Sequence, residues 1–534
     1  MLFNSYQFLF LFLPVALGGC FLLAQLARPG LAMNWLIACS LVFYANWTLV
    51  HLPLLLVSIG FNYAVARLIA AREDPTLRRL LLMGAAVVDI GLLGYYKYLG
   101  FLVSMVNAWA GTNLTVEEGV LPLGISFYTF QQLSLLADVA AGTAGRMRFR
   151  DFVLFVTFFP HLIAGPIVHH REMMPQFQKA EFRLDWGNLA VGFSLFAIGL
   201  FKKAVLADGL ALHVSPIFAD AAAGKPISMV YAWAAAVGFT LQMYFDFSGY
   251  SEMALGLGRM VGIRLPMNFN SPLKATSIIA FWSRWHITLT RFLTTYVFNK
   301  LALAMSRRRR ARGKPGLAGQ ATSVGAFASI LAMPTLVTMF LSGIWHGAGY
   351  QFVVFGAMHG VFLVVNHAWR LVRPRFWRDQ AHYQRVMAPV GLVMTFVAAT
   401  TGMTVFHAAS MDAAFNMLGG MVGLNGVALP DAIPTRLPEV AAVLSWGGIA
   451  FDTSSMTALL ELGLWVAALL PIVLFCPNAL EIMADYDPAI ALGAPKAGRL
   501  AWYPSVRWAS ASAALMAGGV FALNRVSEFL YWQF

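Results

Sequence analysis

The sequence predicts an all-α, polytopic transmembrane protein, and three observations predict it. Hydrophobic residues make up 59% of the 534-residue chain and charged residues only 11%, against about a quarter charged in soluble domains. The mean hydropathy is +0.69. Apolar runs also recur at close to the ~20 residues that carry a helix across a bilayer. A membrane β-barrel needs short segments of alternating hydrophobicity, whereas these runs are continuous.

In order, the apolar runs occupy 6–26, 33–50, 52–70, 79–109, 120–140, 151–168, 188–212, 228–247, 322–341, 350–369, 386–407, 440–451, 457–476 and 509–524. Some are short or broken, and roughly 10–13 spans are expected once tilt and re-entrance are allowed for. The first run has no basic segment before it, and Arg28 follows it. It reads as a retained helix rather than a cleaved signal. Basic residues cluster at 67–79, 146–150, 202–203, 307–314 and 370–385. The strongest cluster, "SRRRRARGKPG" at 306–316, predicts a cytoplasmic loop. The stretch 421–440 is poor in positive charge and reads as an extracytoplasmic loop. The chain reads as one integral-membrane domain over 1–534, without an internal repeat or a soluble domain.

The net charge of +13 belongs to these loops and to anionic lipid; nucleic acid is not expected as a partner. Cys20, Cys39 and Cys476 lie in apolar context without metal-like spacing and read as core residues.

Polar residues inside apolar runs are costly and mark candidate function. In "LPLGISFYTFQQLSLLADV" (121–139), Tyr128, Gln132 and Asp138 follow a Pro–Gly opening. They either glue helices together or line a site. "FFPHLIAGPIVHHREMMPQF" (158–177) carries His161, His169 and His170 around two Pro/Gly interruptions. It predicts a re-entrant segment, tolerated only against protein or a water-filled cavity. In "QMYFDFSGYSEMALGLGRMVGIRLPMNFNSPLK" (242–274), Asp246 and Glu252 form either the polar wall of a tunnel or carboxylates neutralised by Arg259 or Arg264. In "FWSRWHITLTRFLTTYVF" (281–298), Trp282, Trp285, Leu289, Phe292 and Tyr296 would share one helical stripe. Arg284 and Arg291 would lie opposite, and His286 at its edge. That pattern suits an interfacial amphipathic helix or a phosphate-binding surface.

His346 lies in "SGIWHGAGYQF" (342–352), between two apolar runs. It reads either as a satisfied core histidine or as a general base, which must be neutral to accept a proton. Gly343, Gly347 and Gly349 would leave room for a ligand beside it. His359 and His367 follow in "GAMHGVFLVVNHAWR". No H-E-x-x-H spacing occurs, and no metal is expected.

Six motifs in this order carry a resemblance: "PLGISFYTFQ", "FFPHLIAGPIV", "GLFKKAVLAD", "YFDFSGYSEMALGLG", "FWSRWHITLTRFL" and "SGIWHGAGYQFVVFGAMHG". Together they resemble the membrane-bound O-acyltransferase family, in its AlgI/DltB-like branch, which modifies bacterial exopolysaccharides and teichoic acids. The resemblance runs from "MLFNSYQFLFLFLP" to the closing "FLYWQF" and is densest over 121–359. It implies a ring of tilted helices with re-entrant segments around a central tunnel. The catalytic core would span about 120–370, with peripheral helices at 1–110 and 386–534. The implied reaction is acyl transfer from a thioester to a hydroxyl, without a permanently bound cofactor. His346 would be catalytic and His286 the second, donor-side or supporting histidine.

Asp246, Ser248, Glu252, Tyr128, Gln132, Trp285, Arg284, Asn268 and Trp345 are the candidate substrate-binding residues. The resemblance further implies a multi-pass protein of the bacterial inner membrane. It would take acetyl from cytoplasmic acetyl-CoA for O-acetylation of an exopolysaccharide such as alginate or cellulose. It would work with an extracytoplasmic acetyltransferase partner and polysaccharide synthesis machinery. Two alternatives stay open: D-alanyl-type transfer from a carrier-protein thioester to teichoic acid, and a non-enzymatic transporter of lipid-linked sugar. The sequence departs from the branch at His169, where Arg is usual, and at Glu252, often Asp. It departs again at "TTYVFNKLALA", which replaces an Arg-Asp-Tyr run and a Gly-Gly pair, and at His407, commonly Arg.

Overall fold

The computed structural model describes residues 1–534 apart from 27, 48, 117–118, 146, 453–455, 491–497, 499 and 525–534. Arg146 of the second basic cluster and the closing "FLYWQF" lie outside the described residues. Among those described, the regular structure is helical, save for one short parallel pairing of Ala428–Pro430 with Ala450–Asp452 and an isolated bridge between Pro266 and Ile490.

Among the described residues, seven helical stretches are long and apolar enough to cross a bilayer: Phe8–Gln25, Leu49–Ala70, Trp186–Ala222, Val324–His346, Tyr350–Arg375, Gln380–His407 and Met456–Phe475. The sequence suggested more spans, and the difference has identifiable causes. The 151–168 run breaks at Phe158 into Phe149–Thr157, the one-turn Phe159–Leu162 and an irregular buried tail. The broken backbone is packed against protein, as the missing helical hydrogen bonds require. The 33–50 run gives the 17-residue helix Pro29–Ala45, and 440–451 gives only Pro438–Trp446.

Seven helices position the candidate site: α1 (Ile125–Ala140), α2 (Trp186–Phe201), α3 (Met229–Met260), α4 (Ile287–Leu293), α5 (Met333–His346), α6 (Tyr350–Val372) and α7 (Gln380–His407). α3 is the axle of the fold. Every residue from 238 to 258 is buried, so its polar side chains face protein on all sides.

α2 and α3 cross antiparallel at two back-to-back glycine pairs. A Cβ on Gly199 would lie 2.5 Å from the Gly249 carbonyl oxygen, and one on Gly249 would lie 2.7 Å from that of Gly199. Gly192 and Gly256 repeat the relation one heptad away, at 2.6 and 2.5 Å. Only glycine allows backbones this close, as small residues do at membrane helix interfaces.

α5 and α6 form a hairpin built the same way. Gly343 faces Gly356 and the Phe352 carbonyl, and the Phe352 ring fills the space beside Gly347. Gly349 abuts the Gln351 side chain. The expectation that these glycines leave room for a ligand is therefore corrected: the protein's own chain occupies that room.

Candidate active site

His346 is the last residue of α5, where the helix gives way to extended Gly347 (φ −175°, ψ 164°). Its imidazole is 4% exposed. The Phe355 and Phe406 rings meet it edge-on at 5.8 and 5.2 Å between centroids, and Trp345 packs on its other side at 4.9 Å. Trp345 also lies 5.9 Å from the His286 ring, so one indole touches both histidines. Phe127 and Phe130 of α1 complete the wall, 5.6 and 5.9 Å from Trp345.

The segment around His286 is not the single amphipathic helix that the spacing suggested. It comprises a short helix Ile278–Trp282, a break, α4, and a π-helical turn Thr294–Phe298. The break falls at His286, whose backbone is left-handed (φ 43°, ψ 53°). A non-glycine residue there costs on the order of 1 kcal/mol, so its surroundings must hold it. Asn268 does so. Its carbonyl accepts from Ile287 N at 2.9 Å. Its side-chain Oδ1 accepts from Thr288 Oγ1 at 2.9 Å and lies 3.0 Å from His286 Nδ1. An oxygen that already accepts from Thr288 assigns the proton to Nδ1 and leaves Nε2 as the basic nitrogen. Phe247 of α3 meets the ring edge-on at 4.8 Å.

The stripe residues Trp282, Trp285, Leu289 and Phe292 are buried. Arg291 pairs with Glu172, with one contact at 2.8 Å, rather than reaching for headgroups. Arg284 is half-buried, and its carbonyl accepts from Asn270 N at 3.0 Å.

The other candidates divide. Asn268 and Trp345 join the histidines. Trp285 stacks on Phe281 at 5.6 Å and meets Phe269 edge-on, one layer behind His286. Asp246 and Glu252 are neutralised, but not by the expected arginines. Lys203 lies 2.7 Å from both Asp246 and Asp208, and Lys202 lies 2.5 Å from Glu252. Lys202 also donates to Ser248 at 3.4 Å. Both lysines come from the π-helical turn Lys202–Ala207 that continues α2, which the glycine crossing presses onto α3. Arg259 instead donates to the Tyr486 carbonyl, and Arg264 pairs with Asp487. Asp246, Ser248 and Glu252 are thus engaged in an ion-pair network and do not line an open wall. Tyr128 and Gln132 lie on the side of α1 that meets other helices. Gln132 donates to Ser58 at 3.0 Å, and His161 contacts Gln131 at 3.1 Å.

Sequence reasoning missed the phenylalanine box, the two lysines and the role of His359. Trp282 Nε1 donates to His359 Nδ1 at 3.2 Å, behind Phe355. The lysines carried a signal, since "FKK" interrupts an apolar run that needs counter-charges for Asp246 and Glu252. His169 and His170 gather on Asp138 with Arg171 and Tyr296. His169 and His170 Nδ1 lie 3.8 and 3.4 Å from one Asp138 oxygen.

The histidines therefore occupy a water-poor aromatic enclosure that suits proton transfer at a reactive ester or thioester. Residues 39–318 match the model of the membrane-bound O-acyltransferase family, a segment that includes His286 and ends before His346. A peptidoglycan O-acetyltransferase of Helicobacter pylori is 38% identical over 457 residues, covering 80% of this chain and 81% of that protein. A probable alginate O-acetylase AlgI of Pseudomonas aeruginosa is 36% identical over 430 residues, covering 79% and 75%. A teichoic acid D-alanyltransferase of Streptococcus thermophilus is 27% identical over 249 residues, covering 46% and 57%. A match over more than half the chain, with relatives this similar over most of their length, means that this multi-pass membrane protein belongs to the membrane-bound O-acyltransferase family and is an O-acyltransferase.

Proposed function

We propose that the protein moves an acetyl group from cytoplasmic acetyl-CoA across the bacterial inner membrane for O-acetylation of an extracytoplasmic polysaccharide, with His346 as general base. The candidate polymers are alginate, cellulose or a peptidoglycan-type chain, reached through an extracytoplasmic acetyltransferase partner. The observation that carries this reading is the pairing of two buried histidines through Trp345, with His286 oriented by Asn268.

In the reaction, the acceptor oxygen attacks the thioester carbonyl carbon as His346 takes the hydroxyl proton. The tetrahedral intermediate collapses, the carbon–sulfur bond breaks, and the thiolate leaves with that proton. A positioned base supplies ~10²–10⁴-fold in such a step. Excluding water protects the thioester from hydrolysis. Acetyl transfer is favoured over D-alanyl transfer because the O-acetylating relatives match about 80% of this chain at 34–38% identity and the D-alanylating ones about half of it at 24–27%.

Purified protein given labelled acetyl-CoA tests the proposal. His346→Ala should reduce thiol release and acetyl transfer by at least ~10²-fold while remaining folded. Normal turnover by His346→Ala sinks the assignment. A transporter would show the opposite order, with Asp246→Asn more damaging than His346→Ala.

A further inference from the structure

We infer that Lys97 is a positioning residue for His346, gripping the last turn of α5 from the wall of an adjoining cavity. The inference rests on reading His346 as the base. A helix that ends at its functional residue leaves its last carbonyls without partners inside the helix. One short stretch of chain takes two of them. Lys97 Nζ donates to the Trp345 carbonyl, and the Tyr98 hydroxyl donates at 2.9 Å to that of Ile344, which also accepts from Gly347 N at 3.1 Å.

Both donors come from the π-helical turn Gly94–Tyr98, a local widening that recurs at functional positions in helices. A cation at a helix C-terminus also complements the negative end of the helix dipole. The same ammonium lies 5.8 Å from the Trp345 ring centroid, within cation–π range. Lys97 thus holds the residue before His346 by its carbonyl and by its ring, and that ring is the one lying against both histidines.

Lys97 also lines a cavity of about 450 Å³ with Tyr95, Tyr96, Phe101, Ser104 and Ala348. Ala348 is two residues past His346. The side chain therefore belongs at once to the cavity wall and to the cap of the catalytic helix. A lysine in the middle of an apolar run is costly, and a capping role alone would be served by the neighbouring tyrosine. The double hold fixes the imidazole relative to a substrate, where a displacement of ~1 Å can cost 10²-fold in rate.

The test uses the full-length protein in detergent, with Lys97→Met, Lys97→Arg and His346→Ala compared in thiol release from acetyl-CoA. Hydrogen exchange over residues 345–349 is measured in parallel. For Lys97→Met, kcat should fall ~10- to 100-fold with KM for acetyl-CoA within about threefold. Exchange at 345–349 should rise, and Lys97→Arg should restore much of both. Wild-type kcat per folded Lys97→Met molecule, whether or not its Tm falls, overturns the inference, as does unchanged exchange. Wild-type protein that releases no thiol counts against the donor assignment, while the exchange measurement still reports whether Lys97 holds the turn.

Discussion

Asn268 illustrates how much chemistry one side chain can fix. Its amide accepts from Thr288 and contacts His286 Nδ1 at 3.0 Å, so it sets the imidazole's tautomer and its angle together. Asn268→Ala should lower kcat ~10- to 100-fold with a small effect on KM, because misorientation rather than lost binding is the defect. Asn268→Asp, which keeps the acceptor, should retain more activity. Steady-state kinetics on the two variants decides this, and equal losses would refute the orienting role. Both histidines were legible in the sequence as polar residues in apolar context. The work of Asn268 was not: it was read as a substrate ligand because nothing in an 18-residue separation reveals a shared hydrogen bond. Asp246 and Glu252 were legible as anomalies, but their counter-charges came from another helix, and sequence spacing carries no information on that.

Among the elements, α2 and α3 show a packing rule that becomes visible only in the fold. Gly249 and Gly256 meet Gly199 and Gly192 only through the antiparallel crossing, which sequence spacing does not reveal. Gly199→Leu should push the helices apart and cost ~1–3 kcal/mol or more, read as a lower Tm in detergent. Gly60 has no atom within 4 Å of its built Cβ, so Gly60→Ala should be neutral or slightly stabilising. Similar Tm losses in both variants would refute the glycine lock. The crossing also presses Lys202 and Lys203 onto α3, so damage to the lock should spread to the ion pairs. The helix expected over 281–298 failed for a local reason. Its break is a left-handed histidine held by tertiary contacts, and no glycine or proline marks the spot.

For the whole molecule, the all-α membrane architecture was legible from composition and run length, because a bilayer imposes both. The number of spans was less so, since re-entrant backbone, short helices and the polar axle α3 all resemble spans in hydropathy. One continuous stretch, Val324–His346, has a further consequence. Its 23 residues rise about 33 Å as helix and separate His346 from the arginine loop at its start. The positive-inside rule predicts that this loop is cytoplasmic. In the proposed reaction a proton leaving the acceptor near His346 would end on the donor's thiol, as the acetyl group goes the other way. On that reaction each turnover would exchange one acyl group for one hydrogen, leaving the charge of donor and acceptor unchanged, so the cycle would carry no net charge through the bilayer's electric field. Turnover in sealed vesicles should therefore be indifferent to a potassium–valinomycin potential of either sign, although one charge moved through 100 mV corresponds to ~2.3 kcal/mol. A strong voltage response would mean that an ion travels with the acetyl group.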